Sequence, residues 1–114
     1  QGRTTDVAID IKKIDIQACL VHLGKQGYTS VLVEGGSTII SSFVEALAFD
    51  KIVTYIGNLV IGGMNSTSAV GGTGFATLQD APRLEFASSR ILDNNIRIES
   101  YRVGREGSYV YRHR

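Results

Sequence analysis

Cysteine is almost absent from this chain of 114 residues: Cys19 stands alone. That excludes an internal disulfide framework and any paired-cysteine metal motif. Histidine is nearly as scarce, with only His22 and His113, too few to build a His-based zinc site. Long apolar runs are missing as well. The longest mainly apolar stretch, residues 52–61, is interrupted by Thr54, Tyr55, Gly57 and Asn58 and is too short to cross a bilayer. No signal-peptide pattern opens the chain as given. Excess charge is lacking too: a net charge of +1 gives no bulk field for nucleic acid. There is no internal repeat. These absences set the expectation of a cytoplasmic protein without metal, membrane or nucleic-acid partners.

What is present fits one modest globular domain, with 43% hydrophobic and 20% charged residues. The most informative stretch is Ser30-Val31-Leu32-Val33-Glu34-Gly35-Gly36-Ser37-Thr38-Ile39-Ile40. A β-branched run ends in a carboxylate, two glycines follow, and a helical period begins. This order predicts a buried parallel strand at residues 31–33 turning sharply into a helix. N–H groups at that helix start face outward at the positive end of the helix dipole, where a phosphate can sit. Glycines also occur at such junctions simply to turn tightly. Three details add weight to the ligand reading. Glu34 ends the strand, where a carboxylate is costly unless paired, solvated or used. Ser37 and Thr38 both bring hydroxyls to the helix start. A second glycine-rich segment, residues 62–74, follows the next strand and can face the same sheet edge.

Around this stretch the pattern is α/β. Residues 5–11 alternate as a strand does. Asp15 is a candidate N-cap for a helix with Ile16, Cys19, Leu20 and Leu23 on one face, Lys25 in its last turn and Gly27 at its C′ position. Ile40, Phe43, Val44 and Leu47 give the second helix its stripe, with Ser37 suited to cap it. Residues 51–56 predict a strand, so the β-α-β-α-β order predicts parallel pairing with crossovers. Residues 84–88 and 96–103 predict an antiparallel hairpin turned at Asp93-Asn94-Asn95. Residues 108–112 can add an edge strand. Cys19 falls on the apolar stripe and reads as core, whereas His22 falls on the solvated face of its helix.

Val33-Glu34-Gly35-Gly36-Ser37-Thr38, the helix end at 43–47, Asp50, the strand at 52–56 and Ile61-Gly62-Gly63 together resemble the RibD C-terminal reductase domain of riboflavin biosynthesis, a family related to dihydrofolate reductase. The resemblance runs from about residue 10 to residue 102. One departure is Asn58, where the family usually has a proline. The resemblance implies a three-layer dihydrofolate-reductase-like α/β fold, with a mostly parallel sheet and a C-terminal antiparallel hairpin. It implies NADPH-dependent reduction of a phosphorylated ribosylamino-pyrimidine to its ribitylamino form, with hydride delivered to C1′ of the opened sugar and no catalytic side chain. By residue-wise carry-over, Gly35, Gly36, Ser37, Thr38, Ile39, Ile40, Ser41 and Ser42 would line the cofactor, and Glu34 would face the pyrimidine ribotide. Family members are typically homodimers, here expected to pair through the C-terminal strands. Because the family carries further strands upstream, residues 1–114 are expected to be the C-terminal part of a single reductase domain, with 104–114 as edge strand or tail. Two alternatives stay open: another dihydrofolate-reductase-like NADPH reductase, or a non-catalytic nucleotide-binding or dimerisation module.

Overall fold

The computed structural model describes residues 14–104. The strand expected at 5–11 and the edge strand expected at 108–112 lie outside these residues. The element order is α1 (Ile16–Lys25), α2 (Ser37–Glu45), β1 (Lys51–Ile56), β2 (Leu84–Leu92) and β3 (Asn95–Arg102).

Helix α1 begins where its cap chemistry places it. The Asp15 carboxylate accepts the Ala18 N–H at 3.0 Å, satisfying one donor of the first turn. The helix ends in a Schellman motif: Tyr28 N–H donates to the Leu23 carbonyl at 3.2 Å and Gly27 N–H to Gly24 at 3.0 Å. Gly27 takes φ +94, a conformation cheap only for glycine. Ile16 is buried and Cys19, Leu20 and Leu23 are half-buried, while His22 is exposed. Helix α2 closes in the same way, with Ala48 N–H on Phe43 at 2.9 Å and Leu47 N–H on Val44 at 3.0 Å. Here the left-handed position is held by Leu47 at φ +54, which costs about 1–2 kcal/mol for a residue with a Cβ.

The three strands form one antiparallel sheet in the order β1-β3-β2. β2 and β3 are joined by a two-residue turn in which Asp93 and Asn94 have φ +51 and +67, the backbone of a type I′ hairpin. The register shifts between Phe86 and Ser88, so Ala87 forms a bulge in β2. β1 runs from Lys51 opposite Tyr101 to Ile56 opposite Ile96.

The parallel pairing expected from the β-α-β order is therefore corrected. β1 has β3 as its antiparallel neighbour, and residues 31–33 join no ladder. A three-residue segment offers few bonds in the weaker parallel geometry, whereas β3 pairs along six positions of β1 and nearly all of β2. The three-layer arrangement is likewise not formed among the described residues, where neither helix packs broadly on the sheet. The base of the sheet is tied to the α2–β1 connection instead. Arg102 Nε donates to the Phe49 carbonyl at 2.8 Å, its guanidinium lies 5.5 Å from the Phe49 ring centre, and its N–H donates to Asp50 at 3.0 Å. Among the described residues the buried apolar side chains are Ile16 and Tyr101.

Candidate functional site

The start of α2 differs from the start of α1 in one decisive respect. Gly35 has φ +132, and this turn makes Gly36 the N-cap, with φ −76 and ψ 169. A glycine has no side chain to offer, and no side-chain cap bond is made. Ser37, expected as the cap, is instead the first helical residue. No acidic side chain occupies the first turn either. The outward N–H groups and the positive dipole end are thus left to an external acceptor. A Cβ built on Gly35 or Gly36 meets nothing within 4 Å, so the approach is open.

Two hydroxyls of this helix are spent on its own backbone. Ser41 Oγ donates to the Thr38 carbonyl at 2.8 Å, and Ser42 Oγ donates to the same carbonyl at 3.1 Å. Ser41 is buried, Ser37, Ile40 and Ser42 are half-buried, and Thr38 and Ile39 are exposed. Glu34 is exposed, and its carboxylate makes no hydrogen bond or ion pair among the described residues.

The structure brings part of the second glycine segment to this helix. Gly71 N–H donates to the Ser37 carbonyl at 3.1 Å. A Cβ on Gly71 would sit 3.0 Å from Ser37 Oγ. Thr73 and Gly74 N–H groups both donate to Glu45 Oε2, each at 2.9 Å. Glu45 escaped the sequence reading, because its partners lie 28 and 29 residues away. The available signal was the polar line Ser37, Ser41, Glu45 at four-residue steps, away from the apolar stripe.

A second polar cluster lies on one face of β1 and β3. Arg97 Nε donates to the Tyr55 hydroxyl at 3.0 Å, and Arg97 also pairs with Glu99. Lys51 Nζ lies 3.3 Å from Glu99 and 5.6 Å from the centre of the Tyr101 ring. The hydrogen bond from Arg97 first, and that from Lys51 second, hold the Glu99 carboxyl below its ordinary range. A lowered folded-state value favours the carboxylate, so its contribution is present above the unfolded value and lost as pH falls through the folded one. An NMR titration is expected to give Glu99 a midpoint below an ordinary glutamate, and Arg97→Ala is expected to move it upward. A midpoint that Arg97→Ala leaves in place would remove this ion pair as the cause.

Among the described residues no helix is long and apolar enough to cross a membrane, and no three His, Cys, Asp or Glu side chains gather as a metal site.

The model of the RibD C-terminal domain matches residues 2–98. The riboflavin biosynthesis protein RibD of Bacillus amyloliquefaciens is 34% identical over 93% of this chain and 29% of its own length. A 2,5-diamino-6-ribosylamino-4(3H)-pyrimidinone 5′-phosphate reductase of Methanothermobacter thermautotrophicus is 28% identical over 85% of this chain and 45% of its own length. The chain thus spans less than half of either relative. Acinetobacter baumannii RibD superposes with a TM-score of 0.70 at 21% identity, over 82% of this chain and 26% of that one, a likeness of fold. With a family match running through the glycine turn, α2 and the sheet, the chain belongs to the RibD C-terminal domain family and is a distant homologue of the pyrimidine reductases of riboflavin biosynthesis.

Proposed function

We propose that this chain carries the cofactor half of an NADPH-dependent reduction of a phosphorylated ribosylamino-pyrimidine to its ribitylamino form. The observation that carries the reading is the uncapped start of α2, in contrast to α1, whose start holds its own carboxylate. The donor set suits a pyrophosphate: neutral N–H groups, a dipole end, and two glycines that keep side chains out of the approach. Gly35, Gly36, Ser37, Thr38 and Ile39 would hold the phosphates. Ile40, Ser41 and Ser42 continue the same helix and support that turn from below, with both serine hydroxyls spent on Thr38.

The reaction adds a hydride to C1′ of the ring-opened sugar imine and a proton to its nitrogen; NADPH, when bound, supplies the hydride. No covalent nucleophile is needed, so this chain's contribution is binding and orientation. Glu34, one residue before the turn, would accept hydrogen bonds from ribose hydroxyls or pyrimidine N–H groups. A homodimer is part of this reading.

Fluorescence titration with NADPH tests the cofactor role, and saturable binding is expected. Calorimetry with the phosphorylated pyrimidine in the presence of NADPH tests Glu34. Glu34→Gln is expected to weaken the pyrimidine about tenfold, the effect of about 1.4 kcal/mol of lost charge-assisted bonding, and to leave NADPH affinity within about twofold. If only the cofactor weakens, Glu34 belongs to the cofactor side. The bare sheet favours a second reading, a nucleotide-binding or dimerisation module without turnover. NADPH binding with no oxidation when the pyrimidine is supplied would select it.

A further inference from the structure

Residues 71–74 lie along α2 as a strap. Gly71 meets Ser37, Gly72 lies over Ser41, and Thr73 and Gly74 reach Glu45. From Ser37 to Glu45 the helix rises about 12 Å, and the strap touches it at both ends of that span. Gly72 is required twice over. Its φ is +75, and a Cβ there would sit 2.6 Å from Ser41 Oγ and in collision with Glu45 Oε2. The two N–H groups converging on one carboxylate oxygen form a small anion nest, occupied by a side chain of the same protein.

We propose that Glu45 is the positioning residue of the cofactor site: through the Thr73 and Gly74 N–H groups it holds the strap on α2, and thereby keeps Gly71 against Ser37 beside the phosphate-binding turn. This rests on the NADPH reading above and adds the residue that fixes the second wall of that site. Glu45 itself lies about two turns from the phosphate end, so its effect reaches the cofactor only through the strap. Loss of the carboxylate frees the strap's far end. The Gly71 N–H then leaves the Ser37 carbonyl, and the first turn of α2 loses the contact that fixes it.

The test uses the 114-residue chain and two measurements on each variant: amide hydrogen exchange by NMR and NADPH titration by fluorescence. Glu45→Ala is expected to speed exchange of the Thr73 and Gly74 amides at least about tenfold and to raise the NADPH Kd about tenfold, the scale of one charge-assisted hydrogen bond. Glu45→Gln keeps an acceptor oxygen and is expected to hold both quantities within about threefold. Gly72→Ala leaves the carboxylate intact and lifts the strap from the other side, and is expected to weaken NADPH as Glu45→Ala does. This variant also serves if Glu45→Ala fails to fold. Fast amides with an unchanged NADPH Kd would overturn the proposal alone, as would amides that stay slow in Glu45→Ala. Failure of the unsubstituted chain to bind NADPH would overturn the cofactor reading, and this proposal with it.

Discussion

Gly36→Asp is expected to weaken NADPH binding at least about a hundredfold while leaving the fold slightly more stable. The two effects share one cause. Gly36 sits at the N-cap with φ −76 and ψ 169, a backbone conformation open to any residue, and a Cβ there meets no atom within 4 Å. Aspartate is a strong N-cap residue, so its carboxylate would turn onto the N–H groups of the first turn and gain a few tenths of a kcal/mol over glycine. Those are the donors proposed for the pyrophosphate. The carboxylate would also repel it: two unit charges about 4 Å apart at an effective dielectric constant near 20 interact with about 4 kcal/mol. A hundredfold loss needs only about 2.7 kcal/mol. Gly36→Ser separates the parts, since the hydroxyl caps without charge, and is expected to cost NADPH affinity far less. A fluorescence titration and a thermal melt on each variant decide the matter. A melting temperature that rises with unchanged affinity would place the cofactor elsewhere.

What the sequence made legible follows from how local each interaction is. Asp15, the α1 stripe, Gly27 and the Asp93-Asn94 turn act within a few residues of themselves, and the structure has each where the pattern put it. The β1 range agrees as well. The N-cap of α2 was displaced by one residue. Serine is the better capper by intrinsic preference, but the positive φ of Gly35 turns the chain early and hands the cap to Gly36. Residues 31–33 have a strand's composition, yet a strand exists only through its neighbour, and composition does not supply one. The Glu45 latch was out of reach for a related reason. Its partners are the backbone N–H groups of Thr73 and Gly74, which every residue but proline carries, so nothing in the side-chain pattern marks them. At the site, the glycine turn and its hydroxyls were readable from order alone, whereas the strap that joins them to the second glycine segment was not.

The chain is expected to self-associate through the apolar face of its sheet. The strand register assigns the faces, because residues directly opposite one another point to the same side. Lys51, Tyr55, Arg97, Glu99, Tyr101, Glu85 and Arg90 share one side; Ile52, Ile56, Ile96, Ile98, Phe86 and Ile91 share the other. The second side is a core face by pattern, yet Phe86 is 72% and Ile91 75% exposed. Neither helix packs broadly on the sheet among the described residues. Among the described residues both outer strands, β1 and β2, also have a neighbour on one side only, and open strand edges template further pairing. A second copy related by a twofold axis offers the same apolar side in return, and a stable contact of this kind needs about 800 Å² from each partner. Light scattering at several concentrations is expected to give a dimer or larger at tens of micromolar, a range that Kd values of about 1 μM or tighter would populate. Phe86→Lys combined with Ile91→Lys, which places two charges on that side, is expected to return the chain to monomer. Arg90→Glu on the opposite side is expected to leave the assembly in place. A folded monomer at every concentration would mean that the apolar side is tolerated bare. Dissociation by Arg90→Glu but not by the lysine pair would move the contact to the charged side, onto the Arg97–Glu99 cluster.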